Sequence, residues 1–270
     1  MSAELGFVPQ GKLPVEIPNL MGWWNATNLD TFEETAGEVT RWNSVVNGWY
    51  FYNDANSAFH RKQLYKGRWS YYVDPAYEAD SIFSIDGTRY NGGTAVPQAT
   101  AWTDQLNASQ AYTMIACVIA YDDSDVPTYI VIGDNSFARF SGIGTNISGS
   151  TKRWRFNPTV KRDGVNYEPR FFPNIEKFGE PVVIALTVDG TVGAYGYVDG
   201  GQIGFQSFNQ ELYTWSTDLA DNLRPARILA DSSPTAKKGN IFAAAFYDRA
   251  LTQAEIQDLT KYFLNAYTRP

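Results

Sequence analysis

Residues 239–263 read Gly239-Asn-Ile-Phe-Ala-Ala-Ala-Phe-Tyr-Asp-Arg-Ala-Leu-Thr-Gln-Ala-Glu-Ile-Gln-Asp-Leu-Thr-Lys-Tyr-Phe263, and the hydrophobic period changes partway along. Asn240–Tyr247 is a β-patterned run. Thr252-Gln-Ala-Glu255 is a capping box, in which the Thr252 hydroxyl accepts the Glu255 N–H and the Glu255 side chain reaches back. Ile256, Leu259, Phe263, Leu264 and Tyr267 then fall at i, i+3, i+7, i+8 and i+11, one apolar face at helical period. That face must be buried, so the helix packs on whatever the preceding strand belongs to.

Upstream, short β-patterned runs alternate with turn residues. The clearest are Leu20–Trp24, Ser81–Ile85, Tyr112–Tyr121, Thr128–Ile132, Phe137–Ile143, Lys152–Phe156, Val182–Val188, Val192–Val198, Gln202–Phe208 and Ala226–Ala230. Tyr112–Tyr121 is almost wholly apolar, as in a strand buried on both faces. Asp189-Gly190 and Asp199-Gly200-Gly201 read as hairpin turns in which glycine supplies positive φ, giving a meander from Val182 to Phe208. Only the C-terminus shows a strong helix. Residues 1–19, with Pro9, Pro14 and Pro18, read as an extended arm, and 20–270 as a single domain. These patterns predict an all-β sandwich of two antiparallel sheets closed by one C-terminal α-helix.

The Tyr247-Asp-Arg-Ala-Leu-Thr252 turn and the helix after it resemble the ending of concanavalin A-like, laminin G-like jelly-roll domains. Ser84-Ile-Asp-Gly87, the paired Val188-Asp-Gly190 and Val198-Asp-Gly200 segments, and Leu20-Met-Gly-Trp-Trp24 followed by Val39-Thr-Arg-Trp42 also resemble that family. The resemblance implies a jelly roll whose concave sheet often holds a carbohydrate. Many members bind one calcium, for which Asp122, Asp123 and Asp125 form the richest oxygen cluster. No other cofactor is expected.

Composition narrows the function classes. The 270 residues carry a net charge of −7, which disfavours a nucleic-acid surface. One Cys and one His exclude a conventional zinc site. No apolar run is long enough to span a membrane, and the first residues lack the pattern of a signal peptide. Enzyme signatures are weak. Glu78-Ala-Asp80 begins a glucanase-like carboxylate pattern, but Ile82 and Phe83 stand where the second catalytic acid would be. His60 has no nucleophile motif near it. Cys117 lies inside an apolar run and reads as a small buried hydrophobe. The chain is therefore expected not to be an enzyme.

Aromatics make up 15% of the chain and concentrate in residues 42–77, where eleven of 36 residues are Trp, Tyr or Phe. This segment reads as a partly irregular insertion. Three readings are open: a platform for sugar rings, a protein interface rich in hot-spot residues, or self-packing. The candidate carbohydrate- or partner-binding residues are Trp49, Tyr52, Arg68, Trp69, Tyr71 and Tyr72. A lone jelly roll with a proline-rich arm resembles modules displayed on bacteriophage virions. The leading expectation is a binding module on a virion surface, docked on viral structural proteins or its own copies and touching host glycans. A soluble lectin module is the alternative, and an atypical glycoside hydrolase the second.

Overall fold

The computed structural model describes residues 11–52, 60–73, 83–85, 97–121, 127–133, 140–148, 150–162, 165–167, 170–212, 227–230 and 238–268. In chain order the strands are β1 (Leu20–Asn25), β2 (Phe32–Thr35), β3 (Glu38–Asn43), β4 (Tyr50–Tyr52), β5 (His60–Tyr65), β6 (Arg68–Val73), β7 (Phe83–Ser84), β8 (Ala111–Ile119), β9 (Thr128–Gly133) and β10 (Phe140–Ser148). They continue as β11 (Thr151–Asn157), β12 (Val160–Arg162), β13 (Val165–Tyr167), β14 (Pro181–Asp189), β15 (Gly193–Val198), β16 (Gly201–Ser207), β17 (Glu211–Leu212), β18 (Arg227–Ala230) and β19 (Gly239–Tyr247). Two α-helices are described, α1 (Pro97–Ala108) and α2 (Gln253–Thr268).

Two antiparallel sheets form the expected sandwich. The first runs β16-β15-β14-β8-β19-β6-β5, with β1 also paired to β19; the second runs β11-β10-β9-β18-β7-β4-β3-β2. A small third sheet joins β13, β12 and β17. The core between the main sheets is strongly aromatic: Trp24, Trp42, Phe51, Tyr71, Trp102, Trp154 and Phe156 are fully or almost fully buried there. The outer face of the first sheet is apolar too. Ile115, Cys117, Ile119, Val183, Ala185, Ala243 and Ala245 lie under Ile256, Leu259, Phe263 and Tyr267 of α2. This double burial explains why β8 and β19 read as apolar runs with no alternation. Cys117 is a buried free thiol, as expected, and burial pushes its ionisation up.

Three sequence expectations need correction. The described part of residues 42–77 is mostly regular strand rather than partly irregular insertion, with β3 through β6 occupying most of it. The β5–β6 hairpin turns at Lys66-Gly67, both at positive φ, the geometry of a tight primed turn. Helix α1 was not expected. Trp102 and Leu106, one turn apart, bury its single apolar edge, too narrow a stripe to mark a helix by period. Asp189-Gly190 does open the β14–β15 hairpin, but Gly190 is not at positive φ. Three residues link β14 to β15, and Gly190 is small because a Cβ there would sit 2.8 Å from the Gln210 carbonyl oxygen.

The described part of the arm lies on its own domain. Pro14 and Ile17 are buried, and the Tyr247 hydroxyl donates to the Pro14 carbonyl at 3.1 Å. The turn after β19 ties these parts together. The Arg249 guanidinium donates to both Glu255 carboxylate oxygens, at 2.6 and 3.1 Å, and to the Pro18 carbonyl at 3.1 Å. The capping box forms as read, with Thr252 N–H to Glu255 at 2.9 Å and Glu255 N–H to Thr252 Oγ1 at 3.3 Å. Beneath the turn, fully buried Thr113 donates to the Arg249 carbonyl at 2.8 Å and accepts the Leu251 N–H at 2.9 Å. Thr113→Val keeps the shape and strips both partners, which should cost about 2 kcal/mol. Urea denaturation measures this directly, and a loss below about 0.5 kcal/mol, the scale of an ordinary surface change, would refute the role given to Thr113.

Candidate functional site

The six residues singled out in the sequence do not share one surface. Tyr71 is fully buried, stacked on Trp42 at 5.5 Å, and so is core rather than binding surface. Trp49 packs edge-on against Trp102 at 5.5 Å, at the margin of the same core. Strand alternation puts half-buried Trp69 on the Tyr71 face of β6 and Arg68 and Tyr72 on the opposite face. Tyr52 belongs to the second sheet, beside Tyr50 at 5.5 Å. Self-packing accounts for Tyr71, Trp42 and Phe51. Glu78 and Asp80 lie outside the described residues, as do Asp122, Asp123 and Asp125, the calcium candidates. Among the described residues no cluster of three His, Cys, Asp or Glu suits a metal, and no helix is long and apolar enough to cross a membrane.

His60 is buried, stacked on Tyr71 at 5.8 Å, with Nδ1 hydrogen-bonded to the Tyr71 hydroxyl. Burial pushes its imidazole down from 6.5 to about 3, so it is neutral at physiological pH.

The aromatic surface that does form was missed in the sequence. Tyr195 and Tyr197 alternate along β15, so both rings project from the outer face of the first sheet. Across the hairpin Phe205 pairs with Tyr195 in register and stacks on it at 4.4 Å. Phe205 is 46% exposed, and neighbouring Val192 is also 46% exposed. A groove of about 410 Å³ runs between the two tyrosines and the start of α2. Its aromatic wall is Tyr195 and Tyr197, and its polar groups include Asp189, Gln202, Thr252 and Gln253. Asp189 is fixed as an acceptor, since one carboxylate oxygen takes the Thr191 N–H at 2.8 Å and the Thr191 hydroxyl at 2.7 Å. The sequence signal was Tyr195-Gly-Tyr197, two rings at strand period beside a recognised hairpin. It was overshadowed by the denser aromatics of 42–77.

Flat rings beside amides, a hydroxyl and a carboxylate can hold a ligand with one apolar face and several hydroxyls. The rings cover the C–H face while the polar groups exchange hydrogen bonds with the hydroxyls.

No family model and no curated protein matches the chain. Solved structures do. Trypanosoma rangeli sialidase in complex with the inhibitor DANA matches with a TM-score of 0.56 at 14% identity, over 95% of this chain and 36% of that one. The same sialidase alone matches at 0.54 and 14%, over 90% and 33%. Domain 4 of AbnA, a GH43 extracellular arabinanase from Geobacillus stearothermophilus, in complex with arabinotriose, matches at 0.52 and 14%, over 90% of this chain and 98% of that one. The chain thus spans about a third of the sialidase chains and nearly all of the arabinanase domain. At these identities the likeness is one of fold. It corrects the expectation that the chain is not an enzyme: sialidases are glycoside hydrolases, so this architecture occurs within enzyme chains, and a missing carboxylate motif is no ground for setting catalysis aside.

The buried imidazole makes a test of the packing around the first sheet. Between pH 6.5 and about 3 the unfolded chain binds a proton at His60 that the folded chain does not, so stability falls as pH drops through that window. Unfolding free energy should decline on going from pH 7 to pH 5, approaching about 1.4 kcal/mol per pH unit from this group alone. A His60→Gln variant should be less stable at pH 7 but flatter over the same range. Equal slopes in the two proteins would show that His60 is not the group being titrated.

Proposed function

We propose that the chain is a glycan-binding β-sandwich domain whose site is the groove between the Tyr195–Tyr197–Phe205 surface and the start of α2. The observation that carries this is half-buried Tyr195, which lines the groove beside its polar groups and stacks on exposed Phe205 at the groove's edge. Exposed stacked aromatics cost solvation unless something covers them, and a sugar ring covers a phenol face while keeping its hydroxyls hydrogen-bonded. The groove volume suits a short stretch of saccharide. The arabinotriose complex of the AbnA domain supports the ligand class, because that domain matches over nearly its whole length. The laminin G-like resemblance points the same way. On a virion, the setting that resemblance suggested, this groove is the face we assign to host glycans.

A glycan array spanning arabinan fragments, sialosides and β-glucans tests the reading. The expected result is binding to at least one saccharide class, weakened about tenfold or more by Tyr195→Ala, equal to about 1.4 kcal/mol lost. Binding to no glycan would sink the function. Binding undiminished by Tyr195→Ala and by Phe205→Ala would sink the site. The same array, washed and probed for released fragments, reports whether bound glycan is also cut.

A further inference from the structure

The face of the β15–β16 ribbon opposite the aromatic groove has a cleft of its own. Residues 170–177 run beside β11: the Phe156 and Phe171 backbones exchange hydrogen bonds at 3.1 and 3.2 Å, and the Trp154 N–H donates to the Pro173 carbonyl at 2.9 Å. Phe171 stacks on Phe156 at 5.2 Å and lies flat across β15 and β16. Gly196 and Gly204 are obligatory there, since a Cβ on either would come within 2.6 Å of the Phe171 ring. The segment therefore holds the two sheets apart at their edge and leaves a cavity of about 500 Å³ between them.

The floor of this cavity is apolar, with Trp154 from β11, Val198 from β15 and Ile203 from β16. Its rim is polar: Asn174, Glu176, Lys177 and Asp199. Asp199 is held in the left-handed region at φ 48° by the turn into β16. Its Oδ1 accepts the Val183 N–H at 3.0 Å and its Oδ2 accepts Lys177 Nζ at 3.1 Å. The hydrogen bond to Asp199 is the main cause of the raised Lys177 ionisation, so the ammonium is a fixed cation. Lys177 has two further N–H bonds to give, and carboxylate acceptors stand beside it. Beyond the Lys177–Asp199 pair a second cavity of about 360 Å³ continues towards Leu264 and Tyr267 of α2. The pair lines both cavities and divides one trough.

We infer that this trough is a second saccharide site, independent of the aromatic groove, which takes a neutral oligosaccharide of more than one ring. The rim offers both donors and acceptors, from Asn174, Glu176, Lys177 and Asp199, which suits sugar hydroxyls, while the apolar floor takes a C–H face. A free carboxylate on the ligand would meet Glu176 and Asp199, so acidic sugars are disfavoured. The 500 Å³ cavity opens on the face of the ribbon opposite the groove, and a domain with both sites cross-links glycan chains. This inference rests on the glycan-binding reading but not on the groove being the site.

Residue-resolved NMR titration of the full chain with arabinotriose, with cellotriose and with sialic acid tests it. The expected result is shift changes at Asn174, Lys177 and Ile203 with at least one neutral trisaccharide, separate from changes at Tyr195 and Gln202. Asp199→Asn keeps a residue that tolerates positive φ and should weaken the first set about tenfold while leaving the second. Lys177→Ala is a second variant that leaves the turn untouched and should have the same effect. Shifts only around Tyr195 overturn the second site and leave the groove standing. Shifts only in the trough overturn the groove and support the trough. A trough that takes sialic acid but neither trisaccharide overturns the stated ligand class. No shift with any of the three overturns both sites.

Discussion

The arrangement depends on one guanidinium. Arg249 sits just after the central strand β19, and its three hydrogen bonds reach the Glu255 carboxylate and the Pro18 carbonyl. The first contact fixes where α2 begins, and the second fixes the segment that enters β1. The Glu255 carboxyl is held at about 2, with the Arg249 contact as the largest cause. It is therefore ionised wherever the protein is folded at ordinary pH, and sits in the first turn of α2, where a negative charge also complements the helix dipole. The outer face of the first sheet is apolar and needs a cover. Arg249 decides the register of that cover, and so decides that Thr252 and Gln253 form a wall of the groove.

The β15–β16 ribbon carries the two concave surfaces, and an irregularity in its register makes this possible. Gly196 pairs with Gly204, but Tyr197 pairs with Gln202, so Ile203 is an extra residue in β16. Such a bulge bends the strand and re-aims side chains. Gln202 lines the outer groove and adjacent Ile203 lines the cleft between the sheets. The same bulge protects the sheet edge. Residues 201–207 of β16 contain neither charge nor proline, the features that usually stop an edge strand from pairing with another chain. A bulge and a ring stacked across the glycines take over that role.

The sandwich was legible because its strongest signals are local. The capping box, the helical face of α2 and the apolar run of β8 each declare themselves within a few residues. The site was less legible, for a physical reason. Eleven aromatics in 42–77 look like a surface only if the strands that carry them go unrecognised. Once β3, β4 and β6 pair, alternation sends Trp42, Phe51 and Tyr71 inward. The groove needs contacts across long separations, Tyr195 with Phe205 and both with the start of α2, and composition does not encode such pairings. Helix α1 stayed hidden because Trp102 and Leu106 alone make a stripe too thin for periodicity to detect.

The aromatic excess then has a division of labour set by depth. Rings between the sheets meet other rings at many angles: Trp24 lies 6.0 Å from Trp102 and 5.8 Å from Phe246, edge to face, while Phe32, Trp42 and Tyr71 form a near-parallel stack. Wide rings let two sheets fill the space between them with few side chains, and edge-on and offset contacts add to the burial. Those rings have partners on every side and nothing to offer a ligand. Tyr195 and Phe205 differ because β16 is the last strand of its sheet and α2 begins at Gln253: Phe205 stays 46% exposed and Tyr195 only half-buried. The same ring chemistry that closes the core is thus left partly open at the ribbon, and this openness is why we place the proposed glycan site there.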